Sequence, residues 1–297
     1  MVDYYGVNAT IRSIEPNPLN HKFSAIVEAE NGKYYQVKFC QAGGHKNNIN
    51  EFIGHYISKL IDAPVLDGAF LKLTDSELQK LVDKISLYPA FKPIDISISK
   101  ENFFFGVEWI KDINEIKSPK ELVKKLKTTS NSKSFYSLYP IDQITKNYDR
   151  HLGNHLISRK GKKVFYNMID FDRIFNGTTW VNTTFLDNDF NCLISPTSPN
   201  QFNELEFLYS LVNNTNFDLV ADFSAKLSNI TEEDIDDMCS QIEHIYTVSK
   251  PEVATIREWF LKRKERIHNE CLNNIDCFAN VTYQRLKDVH RHYIQTK

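Results

Sequence analysis

A change of pattern near residue 110 limits the architectures open to this chain more than any other feature. Upstream, short runs rich in Val, Ile, Phe and Tyr recur at residues 7–14, 23–29, 34–39 and 103–109. Such runs favour strands, because β-branched and aromatic side chains fit a pleated, half-buried surface. Asn31-Gly32 stands between the second and third of them and is a strong short hairpin signal. Residues 15–20 carry Pro16 and Pro18 and read as a loop. A helix is expected over residues 50–61, where Phe52, Ile53, Tyr56, Ile57 and Leu60 recur at helical spacing. Another opens at Thr74-x-x-Glu77 and runs to residue 84.

Downstream, helical periodicity takes over at 118–127, 140–146, 202–212, 217–227, 231–246, 251–270 and 279–295. Ser118-Pro119-x-Glu121 and Thr231-x-x-Asp234 mark two of the N-termini. A hairpin interrupts the helices, with strands at 155–159 and 164–169 around Lys160-Gly161-Lys162. The expected fold class is α+β, with a small β-rich part over residues 1–110 and a larger, mostly helical part over 111–297.

Composition excludes several classes. With 41% apolar and 25% charged residues, the chain is ordinary globular material rather than a disordered segment. Its formal charge of −2 gives no reason to expect nucleic acid as a direct partner. No stretch approaches the roughly 20 apolar residues of a membrane span, and Met1-Val2-Asp3-Tyr4-Tyr5 does not begin a secretory signal. The five cysteines lack Cys-x-x-Cys spacing, which argues against a disulfide framework and fits a reducing, cytoplasmic setting. His45, His55, His155 and His244 lack metal-ligand spacing and read as surface or hydrogen-bonded histidines. Two charge runs read as solvated helix faces. One has ten acids against one base over residues 204–243; the other holds the lysines at 111, 117, 120, 124, 125, 127 and 133. The second can also steer an acidic substrate.

The chemistry is concentrated around the hairpin, in Asp149-Arg150-His151-Leu152-Gly153-Asn154 and in Ile169-Asp170-Phe171-Asp172. A turn at Gly161 puts Asp170 opposite Gly153, one residue from Asn154. Opposed Cβ atoms lie about 5 Å apart and diagonal ones about 7–8 Å, so Asn154 and Asp170 can share a small cation. Few, hard oxygen ligands suit Mg²⁺ that also rests on substrate phosphates. Asp149, on the same loop, can accept a proton from a hydroxyl. This is a phosphoryl-transfer pattern, which asks of a protein positioning, metal charge and a base. It calls for a lysine on an earlier strand, and Lys38 fits. Glu51, in the following helix, can pair with it. The strand end at Val107-Glu108-Trp109 is placed to offer backbone groups to adenine.

These motifs resemble the signature shared by HipA-like kinases and phosphatidylinositol kinases. Gln41-Ala42-Gly43-Gly44, then Asn50-Glu51, then a helix ending before Ala63-Pro64-Val65 are similar to the small HipA-related bacterial kinases. The resemblance covers roughly residues 7–175. It implies a two-lobed, protein-kinase-like fold with ATP and Mg²⁺ as cofactors. Asp149 would be the catalytic base, Asn154 and Asp170 the metal ligands, and Lys38 the phosphate-contacting lysine, with Arg150 and His151 bracing the loop. It also implies a protein Ser/Thr substrate. Some members act on translation-related enzymes, the aminoacyl-tRNA synthetases, as toxins held by an antitoxin partner. A serine in the first-lobe loop can be autophosphorylated in that family, and Ser13 and Ser24 flank that loop here.

The chain departs from the family at two points. The loop at 15–22 has no glycine to wrap phosphates, and Asp172 stands where many kinases have glycine. Asp172 is read as solvent-facing rather than as a further metal ligand. Two other functions stay open on the sequence: a nucleotide-binding pseudokinase, and a lipid or small-molecule kinase.

Overall fold

The computed structural model describes Tyr4, Leu208 and residues 6–17, 22–40, 46–88, 93–110, 114–147, 149–175 and 217–274. Strands β1 (Gly6–Asn17), β2 (Lys22–Ala29), β3 (Tyr34–Lys38), β4 (Gly68–Lys72) and β5 (Phe103–Glu108) close into a barrel in the order β1-β2-β3-β5-β4. The Asn31-Gly32 turn forms as its sequence requires. Gly32 has φ +75°, which glycine adopts without a Cβ penalty, and its N–H donates to the Ala29 carbonyl at 2.9 Å.

Two parts of this half differ from the sequence expectation. Residues 15–17 are strand rather than loop, with Glu15, Pro16 and Asn17 opposite Ser24, Phe23 and Lys22. Pro16 lies near the end of β1, beyond the residues that pair with β4 (Gly6–Asn8), so among the described residues this stretch pairs on one side only, the setting in which strands accept proline. Strand β4 was not expected at all. Its sequence, Gly-Ala-Phe-Leu-Lys, has no β-branched residue, and its strand character comes from distant partners. It runs parallel to β1 and antiparallel to β5, closing the barrel.

Inside the barrel, Val27, Tyr35, Val37, Leu71 and Phe104 form a core joined by Leu78, Leu81 and Ile85 of helix α2 (Asp75–Ser86). Thr74 caps α2 by accepting the Glu77 N–H, while the Glu77 carboxylate takes the Ile11 N–H on β1 instead of returning to the cap. Helix α1 (Asn47–Leu60) is buried along nearly its whole length. It lies against the outer face of the barrel, where Phe52 packs on Phe70 and Phe105.

The second half is helical as expected, with α3 (Pro119–Leu126), α4 (Leu138–Thr145), α5 (Phe217–Ser228), α6 (Glu232–Ile245) and α7 (Lys250–Asn274). Ser118 caps α3, and Thr231 with Asp234 makes a complete capping box on α6. The expected helix at 279–295 lies outside the described residues, as does that at 202–212 apart from the buried, helical Leu208. The hairpin is present as β7 (His155–Lys160) and β8 (Lys163–Met168), in the expected register from His155 opposite Met168 to Lys160 opposite Lys163. A short strand not read in the sequence, β6 (Asn114–Glu115), adds to the β7 edge. One apolar core runs from α1 and the outer faces of β4 and β5 through α4 to α7. Tyr56 of α1 also donates to Asp237 of α6.

Burial on both sides of α1 decides the state of His55. Its Nε2 bonds to the Leu66 carbonyl, so Nε2 carries the proton, and Nδ1 accepts from the Tyr4 hydroxyl. Desolvation lowers its pKa from 6.5 to about 4, against the pull of the Leu66 carbonyl. His155 is also buried, on Tyr166, and desolvation with the nearby Arg150 charge lowers it well below the ordinary value.

Both groups are depressed on folding, so the unfolded chain binds more protons than the native one below pH 6.5. Stability is therefore expected to fall as the pH drops from 6.5 to about 4, with His55 alone contributing on the order of 3 kcal/mol. Urea unfolding at neutral and acid pH checks this. A His55→Gln variant should show a shallower loss, and a wild-type midpoint independent of pH would count against the assignment.

Candidate active site

Lys38 ends β3 with its ammonium between two carboxylates. It lies 3.0 Å from Glu51 Oε2 on α1 and 2.7 Å from Asp170 Oδ1 beyond β8. Burial alone would lower its pKa. The attraction of Asp170, Glu51 and Asp172 outweighs that and raises it well above the ordinary lysine value. The three side chains come from a barrel strand, a helix and the loop after the hairpin, so this cluster joins the two halves of the chain.

The loop after β8 is shaped to reach α1. Asp170 has φ +68°, a left-handed conformation that Asp tolerates better than most residues, and it turns the chain sharply. The Phe171 N–H then donates to Glu51 Oε2 at 3.1 Å, and the Asp172 carbonyl accepts from Asn50 Nδ2 at 2.9 Å. The Phe171 ring fills the space beside Gly54, where an added Cβ would stand 2.3 Å from Phe171 Cγ. This loop also corrects the reading of Asp172. Clamped against α1, its side chain is buried rather than solvent-facing, and its charge adds to the field on Lys38.

Asp149 and Asn154 sit on a loop held by its own residues. The Asp149 N–H donates to Asn147 Oδ1, and Asn154 Nδ2 donates to the Asp149 carbonyl at 2.8 Å. His151 accepts the Gly153 N–H and starts a short 3₁₀ turn, Leu152–Asn154. The Asn154 carbonyl takes the Ile169 N–H, tying the loop to the residue before Asp170. Arg150 completes the brace from inside. It forks onto Asp142 of α4, donates to the Ile169 carbonyl at 2.7 Å and lies over the Phe171 ring at 5.1 Å. Arg150 and His151 thus brace the loop as their sequence position suggested. Arg173 Nε lies 3.5 Å from Asp149 Oδ2.

At the end of β5, where backbone contacts to adenine are expected, both amides have partners within the chain. The Glu108 carboxylate pairs with Lys33, and neither Glu108 nor Trp109 joins the Lys38 cluster. Their N–H groups are already donated, Glu108 to the Asp67 carbonyl and Trp109 to the Tyr34 carbonyl, so neither amide is available to a base.

Sequence reading missed Asn48 and Gly54. Asn48 Nδ2 donates to the Lys38 and Phe105 carbonyls, and its Oδ1 accepts from the Phe105 N–H and the Tyr246 hydroxyl. It therefore fixes the backbone of the site lysine. A weak signal existed in the three asparagines, Asn47, Asn48 and Asn50, at the start of the helix, since Asn disfavours helix interiors unless its side chain has partners. Gly54 gave no such signal.

Among the described residues, no group of three or more His, Cys, Asp or Glu converges as a metal site. The oxygen donors do suit a hard cation shared with phosphates. Asn154 Nδ2 is committed to Asp149, which leaves its Oδ1 without a hydrogen bond among the described residues, near the Asp170 strand end.

Neither a family model nor a curated protein sequence matches the chain. Solved structures do. The crystal structure of the Helicobacter pylori proinflammatory kinase CtkA matches with a TM-score of 0.53 at 14% identity, over 93% of this chain and 99% of that one. The chain has a kinase-like fold. HipA, in the Shewanella oneidensis MR-1 complex of HipA, HipB and operator DNA, gives a TM-score of 0.43 at 11% identity, over 84% of this chain and 61% of that one.

Two substitutions probe the scaffold. Gly54→Ala should destabilise the protein by about 1–3 kcal/mol despite alanine's better helix propensity, because the methyl group overlaps Phe171. Phe171→Leu in the same chain should recover part of the loss. Additive effects of the two changes in thermal unfolding would show that the contact is not limiting. Asp142→Ala, which strands a buried guanidinium, should cost about 3–5 kcal/mol.

Proposed function

We propose that this chain is an ATP- and Mg²⁺-dependent kinase of the HipA-like type, transferring the γ-phosphoryl group to Ser or Thr of a protein. The observation that carries this reading is the Lys38 ammonium set between Glu51 and Asp170, with the Asn154–Asp149 loop bonded to the adjoining strand end. On this reading the molecule is two-lobed, residues 1–110 contributing the nucleotide side and 111–297 the catalytic loop and metal ligands.

Each residue has a definite task. Lys38 holds the α- and β-phosphates, and Glu51 keeps its ammonium in place. Asp149 receives the proton of the acceptor hydroxyl, and Arg173, beside its carboxylate, is one of the groups that fixes its orientation. Asn154 and Asp170 hold Mg²⁺, which neutralises charge on the phosphates when bound. Ser13 and Ser24 are candidates for autophosphorylation, and an antitoxin-like protein is a candidate regulator. The setting is cytoplasmic. In support, Cys40, Cys239 and Cys271 are free thiols, and no described helix is long and apolar enough to cross a membrane.

Labelled ATP with Mg²⁺ and a mixture of candidate proteins tests the reading. Wild type should label polypeptide. Asp149→Asn should slow transfer by roughly 10²–10⁴-fold, the usual contribution of a general base, and Asp170→Asn and Lys38→Met should also suppress it while circular dichroism stays native. Nucleotide binding without labelled product would make the protein a pseudokinase. Label on a lipid or metabolite would change the acceptor class.

A further inference from the structure

One end of the β7–β8 hairpin adjoins the site, since β7 starts directly after Asn154 and β8 ends two residues before Asp170. The other end is basic. Arg159, Lys160, Lys162 and Lys163 surround Gly161, all exposed, with no acid among them. Helix α3 adds to this surface. It leaves β6 at one edge of the sheet and is followed by Ser130, whose N–H donates to the Val164 carbonyl on β8 at 2.8 Å. Asn131 then bonds to both the N–H and the carbonyl of Tyr166. The segment therefore links the two edges, and the C-terminal end of α3 is brought beside the hairpin tip.

The buried side of α3 is Leu122, and Lys120, Lys124 and Lys127 are exposed. None of these seven cations forms an ion pair among the described residues. The nearby acid on α3, Glu121, turns its carboxylate to the Lys117 N–H at the helix start. Among the described residues these cations thus gather on one surface, on a chain of net charge −2.

We propose that this surface docks an acidic segment of the polypeptide substrate; the inference rests on the protein-kinase reading above and names the substrate's recognition feature. Six residues of β7 span about 20 Å, and a similar number of extended substrate residues cover the same distance. Acids about six residues from the acceptor hydroxyl would reach the basic end while the hydroxyl lies at Asp149. The surface suits a carboxylate-rich peptide better than nucleic acid. Among the described residues the exposed large hydrophobics are Tyr34 and Leu87, neither on this surface, so no fully exposed aromatic is offered there for bases to stack on. A duplex, charged along its whole length, would run past the patch onto a molecule that is net acidic.

Fluorescence anisotropy of the full chain, with a labelled Asp/Glu-rich peptide holding one Ser, tests this. Binding should weaken from low to physiological salt. It should fall by roughly tenfold or more when Lys124, Lys127, Lys160 and Lys162 are all changed to Glu, and a neutral peptide of equal length should bind poorly. Asp149→Asn should bind the acidic peptide like wild type. Equal binding of the two peptides, no effect of charge reversal, or a duplex RNA that binds where the acidic peptide does not, would each overturn the proposal. Phosphate transfer to neutral and acidic peptides alike would keep the kinase reading and remove the docking surface. Charge-dependent peptide binding without any transfer would do the reverse.

Discussion

The ammonium of Lys38, held by Glu51 and Asp170, is the interaction on which the arrangement of this molecule depends. A lysine drawn this far from solvent stays charged only if anions accompany it, because desolvation favours its neutral form. Here the anions come from two separate segments, 13 and 132 residues away. Satisfying one charge therefore fixes the barrel, α1 and the loop after the hairpin relative to one another. The arrangement is of modest value as a stability device, since burying ions offsets much of their attraction. Its consequence is positional: it sets a cation, two carboxylates and the start of the loop after the hairpin at one point.

Neutral packing around that point keeps it in place. Phe171 reaches α1 because residue 54 has no side chain, and the Arg150 guanidinium lies over its ring. Arg150 in turn connects α4, through Asp142, with the carbonyl just before Asp170. Asn48 performs the same service for Lys38, linking β3, β5 and Tyr246 through one amide. Asn48 and Arg150 each spend several of their polar atoms on partners of good geometry, as buried polar networks need if they are to rigidify rather than destabilise.

Much of this was legible in residue pattern. The hairpin register followed from the Lys160-Gly161-Lys162 turn, since two strands joined by a tight turn have little freedom to slip. The Thr74, Ser118 and Thr231 caps followed from side chains that satisfy amides three residues on. Strands β4 and β6 were not legible, because their pairing partners lie far away in sequence and neither strand holds a β-branched residue. Asp172 was misread for a related reason. A charged residue beside a turn is usually solvated, and only its contact with Asn50, 122 residues earlier, reverses that.

By itself the sequence determined the elements whose causes are local: turns that demand glycine, helix ends that demand an oxygen, and the spacing of Asp149, Asn154 and Asp170 around one hairpin. Tertiary structure decided everything that depends on meeting across the chain. It closed the barrel through β4, buried Asp172, committed the Glu108 and Trp109 amides within the barrel, and brought the hairpin tip and α3 into one basic surface. The division has a physical origin. Local propensity acts over one helical turn or one hairpin, whereas burial and ion pairing act over distance in space, which is defined only once the chain has folded.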